Sequence, residues 1–218
     1  RFHTFGGADV LELEEVATPA PGAGEVRVAV QAIGLNRADA LWRENLYVED
    51  ATLPAGLGNE AAGVVEAVGE GVEGLNVGDK VAVLPGAGQG RYPTYGENIL
   101  LPAAHLVRYP ANLSAAQAAG AYMAYLTGYF PMFEMAQLKR GQTLLVTGAS
   151  SGTGMAALQM ARAAGIVAIA VTRTAAKRDA LREAGAAHVV VTDDEDVVER
   201  VLELTEGRGV DLVYDGVG

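Results

Sequence analysis

Thr143–Gly165 reads TLLVTGASSGTGMAALQMARAAG, and it carries a strand, a glycine-rich turn and a helix in unbroken succession. Thr143 to Thr147 is an apolar, β-branched run of the length a buried strand needs. Gly148-Ala149-Ser150-Ser151-Gly152-Thr153-Gly154 follows, with three glycines and no bulky side chain, and Met155 to Ala164 reads as a helix. Gly152 and Gly154 would let backbone amides approach a pyrophosphate, whose charge the free N–H groups and positive end of the new helix attract. Gly148, Ser150, Ser151 and Thr153 complete the cradle. A bare glycine turn also fits an ordinary strand-to-helix connection, so the residues that follow decide.

They repeat strand and helix: strand Ile166 to Thr172, helix Ala175 to Ala184, strand His188 to Thr192, helix Asp194 to Thr205, strand Val210 to Asp215. Four strands alternating with three helices predict an α/β, doubly wound parallel sheet of the Rossmann type, which binds dinucleotides where its strands end. The chain starts without Met and ends at VDLVYDGVG, a strand and the turn leaving it, so this sheet is expected to continue beyond Gly218.

The front half has a different texture. Residues 1 to 110 are rich in Val, Gly and Pro and predict an antiparallel, barrel-like β domain. Strands are expected at Val10 to Val16, Glu25 to Ile33, Val64 to Val68 and Lys80 to Leu84, with a short helix at Ala38 to Arg43. Pro85 to Gly96, threaded with Gly and Pro, is expected to be mobile. Ser114 with Gln117 three residues on forms a capping box, opening a helix towards Tyr129 that Pro131 should kink or end, with a further turn reaching Leu138. Tyr122, Tyr125 and Tyr129 share one face of that helix, which reads as core packing. The domains are thus 1–112 and 113–218, joined by a helix over about 114–138.

Half of the residues are hydrophobic, ample for a core. Lys plus Arg number 16 against 27 Asp plus Glu, a net charge of −11, which speaks against a broad nucleic-acid surface or attraction to anionic membranes. No apolar run approaches the ~20 residues of a membrane span, and RFHTFGGADV lacks the core of a signal peptide, so the expected location is the cytoplasm. There is no cysteine, hence no disulfide, thiolate nucleophile or sulfur-ligated metal. His3, His105 and His188 stand far apart and read as ordinary histidines, so no metal site is expected.

An acid at the end of the second strand of such a sheet holds the ribose of NAD, whereas basic or small polar groups admit the extra phosphate of NADP. Here that position holds Thr172-Arg173-Thr174, with Lys177 one turn further, which points to NADPH.

GLNRADAL at 34–41 and GLGNEAAGVVEAVGEGVEGLNVGDKV at 56–81, followed by GASSGTGMAALQMARAAG, make the chain resemble the medium-chain dehydrogenase/reductase superfamily over essentially its whole length. It is most similar to the zinc-free quinone oxidoreductase, or zeta-crystallin-like, branch. The resemblance implies a GroES-like first domain. In the zinc enzymes of the superfamily a Cys stands where Asn36 stands here, and a His where Asn59 stands. With both positions amide and no Cys, neither the catalytic nor the four-cysteine zinc site is expected. The resemblance places Asn36 and Tyr47 at the nicotinamide and substrate cleft and Thr127 at the nicotinamide from the linking helix. It gives Gly152, Thr153 and Gly154 the pyrophosphate, and Arg173 and Lys177 the 2′-phosphate. The family often carries a Tyr after the third strand of the nucleotide domain; Val191-Thr192-Asp193 departs from that, with Asp193 positioned to repel a phosphate.

The implied activity is NADPH-dependent hydride transfer to a small-molecule acceptor, a quinone or α,β-unsaturated carbonyl, with an enoyl thioester as the alternative acceptor. Asn36 or the Tyr47 hydroxyl would bond the acceptor oxygen as charge develops there. Asn36 reads equally as the cap of the helix after it, and Tyr47 as a surface aromatic. TGASSGTG alone also resembles the short-chain dehydrogenases, but about 140 residues precede it and no Tyr is followed four later by Lys. A non-catalytic NADPH-binding protein is the third reading. Homodimerisation is what the family suggests.

Overall fold

The strongest alternation in the front half becomes β1 (Glu25–Gly34), whose Val26 and Val28 point into a core shared with Val65, Val81, Ile99 and Leu101. In the computed structural model, which describes residues 1–217, the chain divides into two units, Arg1–Met123 and Ala124 onward. In the first unit α1 (Arg37–Arg43) follows β1, then come β2 (Glu60–Val68), β3 (Lys80–Val83), β4 (Asn98–Pro102) and β5 (Leu106–Arg108). The sheet order is β4-β1-β2-β3-β5, with every neighbour antiparallel.

Several expectations are corrected here. Val10 to Val16 is not a strand: Leu11 makes one isolated bridge to Phe2, and Leu11, Leu13 and Val16 stay exposed because no neighbouring strand is there to pair with. β2 starts at Glu60, four residues earlier than its valines suggested, since small residues let the ladder close tightly. A side chain at Gly63 would lie 2.0 Å from the Ala29 carbonyl oxygen. The segment Pro85 to Gly96 is pinned rather than loose. Gln89 and Thr94 within it are buried, Gln89 accepting from the Gly58 N–H at 3.2 Å and Thr94 donating to the Glu60 carbonyl at 3.1 Å. β4 and β5 are short, and no periodicity announced them.

The expected linking helix is broken in two, α2 (Ala115–Ala119) and α3 (Tyr122–Tyr129). Ser114 caps α2 as read, its Oγ accepting from the Gln117 N–H at 3.2 Å while the Gln117 side chain takes the Ser114 N–H at 2.9 Å. Gly120 ends α2, and a Glu60 carboxylate oxygen takes the Met123 N–H at 2.5 Å to begin α3. Pro131, lacking an N–H, sits in a π-helical turn over Phe130–Met135. The tyrosine face is not core throughout: Tyr122 packs against the Ala62 and Ala118 cluster, but Tyr125 and Tyr129 are exposed, their hydroxyls donating to Gln159 and Glu134.

The second unit is the parallel sheet. β6 (Thr143–Val146), α4 (Gly152–Ala164), β7 (Val167–Thr172), α5 (Arg178–Ala184), β8 (His188–Val191), α6 (Val197–Leu204) and β9 (Leu212–Tyr214) alternate along it. The order is β8-β7-β6-β9, all parallel. The chain therefore steps outward from β6 to β8, then crosses to the other side of β6. That reversal is the topological switch point, beside which ligands of such sheets bind. Strand alternation feeds two cores: Leu144 and Val146 meet Leu158, Ala161 and Leu181, and Leu145 meets Ile169, Val190 and Val201 from the opposite face. The last helix begins at Val197 rather than Asp194, since Asp196 caps it by accepting the Glu199 N–H at 2.9 Å.

Candidate functional site

The turn after β6 carries three glycines for three different reasons. Gly148 has φ +51°, a left-handed conformation that a side chain resists. Gly154 lies against the preceding turn: a Cβ there would fall 2.7 Å from the Ala149 Cα and carbonyl oxygen. Gly152 is the first residue of α4, three residues ahead of the helix start read from the sequence, and a Cβ on it would meet nothing within 4 Å. The Ser151 Oγ caps the helix by accepting the Gly154 N–H at 3.1 Å. Gly154 is thus a packing glycine, and Gly152 the one that leaves the helix N-terminus open.

Beside this turn, where β6 and β7 end, lies a cavity of about 560 Å³. Gly148, Ser150, Thr172, Arg173 and Lys177 line it together with Thr147, Thr192 and Asp215. Lys177 donates to the Ser150 Oγ at 2.9 Å, which ties the start of the next helical turn to the glycine turn. Thr172 is buried at the end of its strand, while Arg173 and Lys177 are exposed. Asp193 is exposed and is not among the lining residues, but its N–H donates to the Arg173 carbonyl at 3.2 Å. The acid that does line the cavity is Asp215, which accepts from the Thr147 hydroxyl and, at 3.0 Å, from the Val217 N–H. A separate groove on the outer side of α4 and α5, lined by Met155, Gln159 and Glu183, stands away from the strand ends.

In the first unit the residues around α1 form a buried acidic network. Asn36 occupies the N-cap position of α1, and its backbone N–H donates to Asp39 at 2.9 Å. Its side-chain nitrogen donates to Glu60 at 2.9 Å. Asp39 also accepts from the Tyr95 hydroxyl at 3.0 Å and from the Asn59 side-chain nitrogen at 3.2 Å. Asp39 and Glu60 are 4 % and 2 % exposed, and neither has a cationic partner within ion-pair reach among the described residues. Burial pushes both carboxyls above the usual carboxylate range, although the donors around each pull the other way. Burial and the Asp39 charge likewise push the Tyr95 hydroxyl up. Glycines make room for this network. A Cβ on Gly34 would lie 2.6 Å from a Glu60 carboxylate oxygen, and one on Gly58 would lie 2.3 Å from the Tyr95 ring.

The structure therefore brings Gly148, Ser150, Thr172, Arg173 and Lys177 to one cavity and sets Ser151, Gly152, Thr153 and Gly154 along the adjoining helix start. Tyr47 packs edge-on against Trp42, with ring centroids 6.4 Å apart, in a cluster with Phe2. Thr127 is exposed on α3 and does not line the cavity. Sequence reasoning missed Asp39, Glu60 and Tyr95. The usable signal was two acids embedded in small and apolar neighbours, RADAL and NEAAGVV, where solvated charges do not belong. It also gave His3 no carboxylate company, whereas Glu12 and Glu14 lie beside it at the surface and His3 bonds Glu14.

Two family models match the chain: the alcohol dehydrogenase GroES-like domain over residues 22–128 and the zinc-binding dehydrogenase domain over residues 152–218. The synaptic vesicle membrane protein VAT-1 homolog of Rattus norvegicus is 37% identical over 216 residues, 98% of this chain and 52% of that protein. The crystal structure of Escherichia coli quinone oxidoreductase complexed with NADPH matches with a TM-score of 0.91 and 36% identity, covering 100% of this chain and 65% of that one. The crystal structure of an NAD-dependent alcohol dehydrogenase matches with a TM-score of 0.92 and 33% identity, covering 97% of this chain and 68% of that one. The chain belongs to the medium-chain dehydrogenase/reductase superfamily, with a GroES-like domain ahead of a Rossmann-type sheet. Within it the likeness to quinone oxidoreductases extends over the whole chain, which spans about half to two thirds of the length of these relatives.

The family name invites a test for zinc. Asn36 and Asn59 both turn their side-chain nitrogens, which are donors, towards buried carboxylates, and the sequence has no cysteine to supply a thiolate. That donor set does not fit zinc. Among the described residues no helix is long and apolar enough to cross a membrane.

Proposed function

We propose that the full-length protein is an NADPH-dependent oxidoreductase that delivers hydride to a quinone or an α,β-unsaturated carbonyl without zinc. The observation that carries this reading is the pair Arg173 and Lys177 on the cavity beside the glycine turn, with no acid in Thr172-Arg173-Thr174 at the end of β7. The likeness to a quinone oxidoreductase crystallised with NADPH supports it. The likeness to an NAD-dependent dehydrogenase marks the rival cofactor.

NADPH supplies the hydride. The open N-terminus of α4 at Gly152 holds its pyrophosphate, with Ser150 and Thr153 alongside. Arg173 and Lys177 hold the 2′-phosphate, Lys177 being set by Ser150. Thr127 contacts the nicotinamide side, and Asn36 and Tyr47 line the nicotinamide and substrate cleft. Their contribution is orientation and water exclusion, which suffices for an acceptor already activated towards hydride.

The test is turnover by the purified full-length protein across quinones, enones and enoyl thioesters, followed by loss of NADPH absorbance. Quinone or enone turnover is expected. NADPH binding with no turnover across the panel would contradict the reading and leave a nucleotide-binding protein.

A further inference from the structure

Glu60 is almost fully buried, has no cationic partner among the described residues, and yet both of its carboxylate oxygens are used. One accepts from the Asn36 side-chain nitrogen at 2.9 Å, the other from the Met123 N–H at 2.5 Å. Met123 is the second residue of α3, so the carboxylate sits at a helix N-terminus, a favourable place for negative charge. Asn36 is held from a second direction by Asp39, which takes its backbone N–H. Room for the carboxylate is built into the backbone at Gly34.

We propose that Glu60 is a positioning residue, its carboxylate fixing the Asn36 amide with the nitrogen turned inward and the carbonyl oxygen turned away from Glu60. A carboxylate can only accept, so it admits one amide orientation and rejects the other. The end that half-buried Asn36 is left to offer a ligand is its oxygen, which faces the Asp39 N–H in the capping box of α1 and keeps a lone pair to spare; as a hydrogen-bond acceptor it selects a donor, a hydroxyl or amide N–H of the cofactor. This rests on Asn36 facing the ligand in the proposed reaction. A purely structural acid at this position would stabilise the fold, whereas burial makes the ionised form of Glu60 unfavourable.

Glu60→Gln separates the two roles. A glutamine oxygen still accepts the Met123 N–H, and its nitrogen donates to Asn36 once that amide has inverted, so both partners of residue 60 stay satisfied with the wrong end of Asn36 outward. In the full-length protein the variant is expected to melt at or above the parent temperature at pH 8. Its kcat/KM with a quinone is expected to fall by about tenfold to a hundredfold, the scale of misplacing one orienting group. Combined with Asn36→Ala, it is expected to add no further loss. Because the donor belongs to the cofactor, the NADPH dissociation constant is expected to rise along with the loss of turnover, and an unchanged NADPH dissociation constant would count against the assignment. Undiminished turnover, a lowered melting temperature, or losses that add to those of Asn36→Ala would each overturn the assignment. A parent protein that turns over no acceptor would instead contradict the proposed function, and the melting comparison would still report on Glu60.

Discussion

Gly154→Ala is expected to cost the nucleotide unit about 1–3 kcal/mol and to abolish NADPH binding, whereas Gly152→Ala, two residues away, is expected to melt like the parent and bind NADPH about tenfold more weakly. The contrast follows from the backbone. A methyl group at 154 meets main-chain atoms of Ala149 at 2.7 Å, and a main chain cannot swing aside as a side chain does, so the turn and helix must separate. A methyl group at 152 enters empty space, but in the proposed complex it would narrow the approach of the pyrophosphate to the helix N-terminus. Thermal melts and NADPH titrations of the two variants check this. Equal melting temperatures would remove the packing role from Gly154, and unchanged NADPH affinity in Gly152→Ala would remove the ligand from the turn.

The second large effect is expected from Arg173→Ala combined with Lys177→Ala. Each cation stands to lose a charge-assisted hydrogen bond to the 2′-phosphate, about 1.5–3 kcal/mol apiece, so NADPH affinity should fall a hundredfold or more while NADH binding is nearly unchanged. Lys177→Ala alone also frees the Ser150 hydroxyl it holds at 2.9 Å, so it should do more damage than the loss of one charge at an exposed site. Isothermal titration with both nucleotides checks it. A parallel loss of NADH and NADPH would mean that the two cations support the turn rather than read the phosphate.

The parallel sheet was legible because its signals are local. TLLVT, VAIAVT and HVVV are buried runs at regular spacing, and Ser151, the cap of α4, lies within the turn that joins the first of them to its helix. The glycine-rich turn was legible for the same reason, Gly148 to Gly154 being one continuous stretch. The front half was read less well because an antiparallel sheet is assembled from distant partners. Val10 to Val16 alternates as a strand should yet, among the described residues, makes only the isolated Phe2–Leu11 bridge, and Asn98–Pro102 pairs with Glu25–Ala29 across most of the unit. The acidic network was illegible for a sharper reason. Asn36, Asp39, Asn59, Glu60 and Tyr95 come together only once α1, the start of β2 and the pinned loop are folded, and nothing in the order of residues announces that Glu60 turns inward to Asn36 and Met123. The distinct roles of Gly152 and Gly154 were likewise beyond a motif that treats all its glycines alike.

In the proposed function the turn after β6, with Arg173 and Lys177 beside it, holds NADPH in preference to NADH. The most direct test of that preference is the ratio of NADPH to NADH dissociation constants for the full-length protein, measured by titration at one ionic strength. NADPH is expected to bind at least about tenfold more tightly, the worth of one charge-assisted bond to the extra phosphate. Equal affinities, or tighter binding of NADH, would contradict it.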